Sequence, residues 1–105
     1  MSGRTKYKLR IHHRFNEQVT EILEYIACKL KNPIAAESLE KEIEEAILGR
    51  LPFAESFQIY KFDKQTSAPY YTIPVKKYTI LYVVIDDVME VRQIVYSRRN
   101  WQNLL

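Results

Sequence analysis

Arg98 and Arg99 follow a β-rich run that ends at Tyr96, separated from it only by Ser97, and Trp101 lies two residues beyond them. A guanidinium is a planar fork of donors that grips a phosphate or a carboxylate through two parallel hydrogen bonds. Two such forks at a strand terminus therefore place anion-binding chemistry at the edge of a sheet. Lys76 and Lys77 stand just before a second β-rich run that opens at Tyr78, in a position to reach the same anion as point charges. Tyr96 or Trp101 could stack on a base. His12 and His13 could titrate near neutral pH, although paired histidines at a strand end also suit the entry to a helix.

No other grouping suggests catalysis. The chain has no glycine-rich phosphate loop, no metal-ligand spacing and no Ser/His/Asp set, so neither a cofactor nor a metal is expected. Glutamates at 37, 40, 42, 44 and 45 read as the solvated face of a helix rather than as paired catalytic carboxylates. Cys28 is the single cysteine; it cannot form an internal disulfide, which fits a reducing cytoplasm.

The elements that must position these groups follow from periodicity. Residues 7–12 alternate apolar and polar side chains and read as a half-buried strand. Asn16 is expected to cap the next helix, with Glu17 in its first turn. Val19, Ile22, Leu23, Ile26 and Leu30 then recur at helical spacing. Asn32 and Pro33 break that helix and start another, whose buried stripe is Ala36, Leu39, Ile43, Ala46 and Ile47; Gly49 and Pro52 bracket its end. So short a junction makes an antiparallel helical hairpin.

An aromatic stretch follows, with a short strand expected around 57–62 and a turn over 63–68. Strands are then expected over 71–75, 78–85 and 88–96, the last two joined through an Asp86–Asp87 turn. Pro74 lacks a donor, so its strand should lie at an edge there or carry a bulge. The expected fold is α+β: a small antiparallel-rich sheet with an N-terminal helical hairpin on one face, in the order β-α-α-β-β-β.

At 105 residues the chain has room for one core, so residues 1–105 are read as a single domain. Charge is segregated. Residues 1–14 carry five basic and no acidic groups, residues 15–58 carry four and nine, and residues 59–105 carry seven and four. If the termini meet in one sheet, that sheet is positive and the helices negative, which suits an anionic partner on the sheet side. No apolar run approaches the roughly 20 residues that span a bilayer, and the first residues lack the apolar segment of a secretory signal. A cytoplasmic protein without a membrane partner is expected.

Taken in order, several stretches resemble the RelE/ParE superfamily of bacterial toxins from type II toxin–antitoxin modules. Tyr7-Lys-Leu-Arg-Ile with the helix after it is similar to the family's first strand and helix, and Asn32-Pro33-Ile34-Ala35-Ala36 to its helix junction. Ile73-Pro-Val-Lys-Lys-Tyr78-Thr-Ile-Leu-Tyr82 and Ile94-Val-Tyr-Ser-Arg-Arg-Asn-Trp101 look like the ParE-like branch. The resemblance implies a compact toxin, of plasmid-stabilisation type, that arrests growth and is silenced by a cognate antitoxin wrapping it. ParE-like members poison DNA gyrase; RelE-type members cut messenger RNA on the ribosome.

Metal-free RNA cleavage needs proton-transfer groups and cations around the phosphorane. Against the RelE-type set, the second-strand lysine positions fall near Tyr70 and Thr72, and Thr79 stands where an arginine follows the strand's first tyrosine. Arg99, with Arg98 beside it, matches the arginine after the last strand. The C-terminal tyrosine position falls near Leu105, and Ser97 stands where a related branch has histidine. The resemblance therefore favours ParE-like inhibition of gyrase through Arg98, Arg99, Lys76, Lys77, Tyr96 and Trp101. RelE-type cleavage with a divergent set of groups and a non-toxic binding homologue are the alternatives.

Overall fold

A computed structural model describes residues 7–62, 64 and 68–98 of the chain. Strand β1 (Lys8–Ile11) leads into helix α1 (His13–Glu24), which ends in a π-helical turn, Tyr25–Lys29. Helix α2 (Pro33–Arg50) runs into a 3-10 turn, Leu51–Phe53. Four strands follow: β2 (Lys61–Phe62), β3 (Pro69–Val75), β4 (Tyr78–Ile85) and β5 (Val88–Tyr96). They form one five-stranded sheet in the order β1-β5-β4-β3-β2, antiparallel except where β1 runs parallel to β5. This is the expected α+β fold, with the helical hairpin between the first strand and the other four.

Local chemistry accounts for the element ends. Backbone bonds hold β1 to β5, the last being His12 N–H to the Val91 carbonyl at 2.9 Å. The chain turns into α1 at that residue, and His12 is the cap: its Nδ1 accepts the Arg14 N–H at 3.1 Å. The expected cap, Asn16, instead lies inside α1. The two histidines stack on each other with ring centroids 4.4 Å apart, at the entry to the helix. At the second junction Asn32 behaves as expected. Its Oδ1 accepts the Ala35 N–H at 3.1 Å, with Pro33 at the first helical position. Lys31, at φ 53°, takes the left-handed conformation that reverses the chain between the helices.

The helices bury one face of the sheet. Phe15 of α1 and Leu39, Ile43 and Ile47 of α2 meet Tyr71, Ile73, Ile80, Tyr82, Met89, Val91 and Ile94. Val19, Ile22, Leu23 and Ile26 pack on this core as the helical spacing predicted. Leu30, the last member of that stripe, is 56% exposed because the π-helical turn has carried the chain off the sheet by then. Gly49 lies within α2, which continues to Arg50, and Pro52 falls in the 3-10 turn. On the other face Tyr70, Leu81, Val83 and Val95 form a smaller buried cluster with Ala68.

The sheet has two irregularities. β2 pairs with β3 only at Lys61↔Tyr70 and Phe62↔Pro69, so β3 is an edge where Pro74 sits, as the missing donor requires. The expected turn over 63–68 lies largely outside the described residues. In the β4–β5 ladder Leu81 pairs with Gln93 but Tyr82 pairs with Val91, leaving Arg92 as the extra residue of a bulge. The bulge resets the alternation of β5. Met89 and Val91 face the helices before it and Ile94 after it, so Tyr96 also emerges on the helix side.

Candidate functional site

The β3–β4 turn and the end of β5 meet at one corner of the sheet. Tyr78 pairs with Tyr96 in the ladder, which places Lys76 and Lys77 beside Ser97 and Arg98. Ser97 N–H donates to the Lys77 carbonyl at 2.8 Å, fastening the strand end to the turn. Lys76 is left-handed at φ 55°, the conformation that closes a tight hairpin. Lys76, Lys77, Tyr96, Ser97 and Arg98 line a cavity of about 380 Å³. Four of the residues expected to bind a target are thus adjacent in space. Arg99 and Trp101 lie outside the described residues.

A second and larger cavity, of about 700 Å³, opens beside the first. Its walls are the end of α1 (Tyr25, Ile26, Leu30), the start of α2 (Asn32, Ala35, Ser38, Leu39) and the sheet residues Lys76, Lys77, Tyr78 and Tyr96. Lys76, Lys77 and Tyr96 line both cavities, so the two adjoin and together form a groove from the helix junction to the sheet corner that these three side chains share. Tyr25 and Tyr96 are 55% and 41% exposed, so large aromatic faces are presented to whatever enters. Tyr78 is half-buried and meets Tyr96 edge-on, with centroids 6.0 Å apart. Burial, then the neighbouring Tyr96 and Tyr25, pushes the Tyr78 hydroxyl above its ordinary value, so it stays protonated and available as a donor.

Charge at the corner is uneven. The Lys76 ammonium lies 3.4 Å from the Glu42 carboxylate of α2, with the two side chains 59% and 37% exposed. A surface pair of this kind contributes little to stability, but it holds one lysine against the helix. Glu42 is therefore tied to the site, unlike the exposed Glu37, Glu40, Glu44 and Glu45, which form the solvated face that the sequence predicted. Lys77 and Arg98 are exposed and meet no carboxylate among the described residues.

Thr79 and Ser97 carry the most telling geometry. Their hydroxyls hydrogen-bond each other across the β4–β5 pair at 2.7 Å, and Thr79 is only 9% exposed. Each hydroxyl satisfies the other, and neither is an acid or base able to titrate near neutral pH. His12 caps α1 and His13 stacks on it at the helix entry, and neither lines the two cavities at the sheet corner. Among the described residues no group of His, Cys, Asp and Glu could hold a metal ion.

Two participants in the site and one structural network escaped the sequence reading. Tyr25 is off the apolar stripe of α1 and reads in sequence as an ordinary surface residue. Glu42 is indistinguishable in sequence from its neighbouring glutamates. Arg50 donates to the Tyr82 hydroxyl at 2.9 Å and lies 3.5 Å from the Phe57 ring centroid. The Tyr82 hydroxyl in turn donates to the Ala54 carbonyl at 2.8 Å, so a buried polar network pins the loop after α2 onto the sheet. This network is structural and lies apart from the basic corner.

Known proteins share this architecture. Residues 9–101 match the family model described as ParE toxin of type II toxin–antitoxin system, parDE. No curated protein sequence matches the chain. Among solved structures, the chromosomal ParDE toxin–antitoxin system from P. aeruginosa is similar at 12% identity and a TM-score of 0.65, with 86% of this chain and 95% of that one covered. The archaeal RelE–RelB complex from Pyrococcus horikoshii OT3 gives 16% identity, a TM-score of 0.46, and coverage of 89% and 97%.

Proposed function

Because the chain belongs to the ParE toxin family of type II toxin–antitoxin systems, we propose that it arrests bacterial growth by inhibiting DNA gyrase, acting through the basic corner. The Thr79–Ser97 hydroxyl pair carries this reading. At the two positions where the ribonuclease branches need an arginine or a histidine, the sheet corner holds two neutral hydroxyls bonded to each other. Cations remain for binding, but at those two positions no group stands that could move a proton in RNA cleavage. A toxin that acts by binding requires only that surface.

We assign it a cognate antitoxin, in keeping with its family and with the ParDE system of similar fold from P. aeruginosa. Among the described residues no helix is long and apolar enough to cross a membrane, and inhibition of gyrase is an action exerted in the cytoplasm. Residues 1–105 act as one toxin domain, which needs no cofactor, and a role in plasmid stabilisation is consistent with such a module.

The test is a supercoiling assay with purified toxin and gyrase. Loss of supercoiling with accumulation of cleaved plasmid, reversed by antitoxin, is expected. Replacing Lys77 and Arg98 together with alanine should weaken inhibition at least ten-fold. Intact supercoiling, with transcripts cut on translating ribosomes instead, would overturn the reading in favour of the ribonuclease alternative.

A further inference from the structure

We infer that the groove at the sheet corner is a binding site for single-stranded nucleic acid, and that in the proposed action the toxin grips an unpaired segment of the gyrase-bound DNA. The inference deepens the proposed function and rests on it for the identity of the strand, but the site itself rests on geometry.

Two features, each ordinary on its own, adjoin here. The smaller cavity is lined by Lys76, Lys77 and Arg98, cations of the kind that neutralise backbone phosphates. The larger one is walled by Tyr25, Tyr78 and Tyr96. Lys76, Lys77 and Tyr96 line both, so a phosphate on the lysines would have its base beside the tyrosine rings. Phosphate cations along a groove with aromatic faces beside them is the arrangement that binds single strands with little regard to sequence.

The alternatives fit less well. An acidic protein surface would use the cations but leave two half-exposed tyrosine rings without a stacking partner. Duplex DNA would also use the cations, but its bases are stacked on each other and cannot enter beside Tyr25. The Lys76–Glu42 pair adds a local competitor: a phosphate must displace Glu42 to recruit Lys76. Removing that carboxylate should therefore tighten binding.

The experiment uses the full chain, purified from its antitoxin, with a fluorescent 12-nucleotide DNA strand followed by anisotropy across a salt series. Binding is expected to weaken with salt at a slope of about −2 on logarithmic axes, for three neutralised phosphates at roughly −0.7 each. Lys77→Ala with Arg98→Ala should flatten the slope. Tyr25→Ala and Tyr96→Ala, both at exposed positions, should each cost roughly five-fold or more at an unchanged slope. Glu42→Gln should tighten binding two-fold or more.

No binding at low salt would overturn the inference. So would equal affinity for duplex together with neutral tyrosine variants, which would mean unspecific backbone attraction. Displacement of the strand by polyglutamate at equal charge concentration would assign the groove to an acidic protein partner. Circular dichroism of each variant shows that a loss is not unfolding. Gyrase inhibition run in parallel separates the two claims. Inhibition without strand binding would sink the groove but leave the toxin reading intact. Strand binding without inhibition would do the reverse.

Discussion

At the scale of single residues, several side chains do something other than their type suggests. Tyr7, just before β1, donates to the Glu55 carboxylate at 2.6 Å, joining the start of the sheet to the loop after α2. That bond, reinforced by burial and by the negative charge of Glu55, pushes the Tyr7 hydroxyl up to about 12. A folded value raised above the unfolded one means stabilisation that is complete below pH 10 and is lost as pH climbs from 10 through 12. Wild type should therefore exceed Tyr7→Phe in melting temperature at pH 8, and the gap should narrow as pH rises above 10 and close only above the folded value of about 12. A gap that is constant with pH would show that the bond to Glu55 is not the cause. Lys76 combines two roles in another way. Its left-handed backbone closes the hairpin while its ammonium serves the corner, so one residue is both turn and candidate ligand.

At the scale of elements, the end of β5 depends on support from outside the sheet. β1 stops at Ile11, opposite Val91, and among the described residues no strand pairs with the remainder of β5 on that side. Gln18 of α1 takes over: its Oε1 accepts the Ile94 N–H at 2.8 Å, and its Nε2 reaches Gln93 Oε1 at 3.4 Å. A helix side chain thus replaces a missing strand partner. Gln18→Ala should cost about 1 kcal/mol in chemical denaturation, the worth of one partly buried hydrogen bond, and should quicken exchange of the Ile94 amide. An unchanged exchange rate at Ile94 would mean that another group supplies the acceptor. The bulge at Arg92 acts on the same segment. Without the extra residue Tyr96 would point to the opposite face, and the groove would lose a wall.

At the scale of the whole molecule, two separate cavities carry different chemistry. The basic corner lies at the β3–β4 turn, whereas a separate cavity of about 510 Å³ lies between α1, α2 and β1. Leu9, Ile11, Phe15, Val19, Ile43 and Leu48 line it, with Glu40 and Glu44 also in its wall. β1 is a sheet edge, so an extended segment of antitoxin could add beside it while a helix fills the cavity. Hydrogen exchange of the toxin with its antitoxin should show slowed amides in β1 and α2, or else over the basic corner. Protection at neither place would refute this mode of neutralisation.

The order of elements, the hairpin of helices, the three long strands and the basic character of the sheet corner were all legible in the sequence. These are local properties. β-Branched and aromatic enrichment over Tyr78–Ile85 and Val88–Tyr96, helical spacing in α1 and α2, and the proline and asparagine at the helix junction each act within a few residues. Nearness of Lys76 and Lys77 to Arg98 followed as soon as β4 and β5 were read as a hairpin. Other features came from the packed fold. The cap at His12 depended on where pairing between β1 and β5 runs out. The bulge at Arg92 depended on matching two strands to one core, and no local signal marks it. Tyr25 and Glu42 joined the groove only because α1 and α2 pack so that their junction overhangs the β3–β4 turn. Contacts between residues far apart in sequence depend on the sum of packing, and local sequence patterns do not encode that sum.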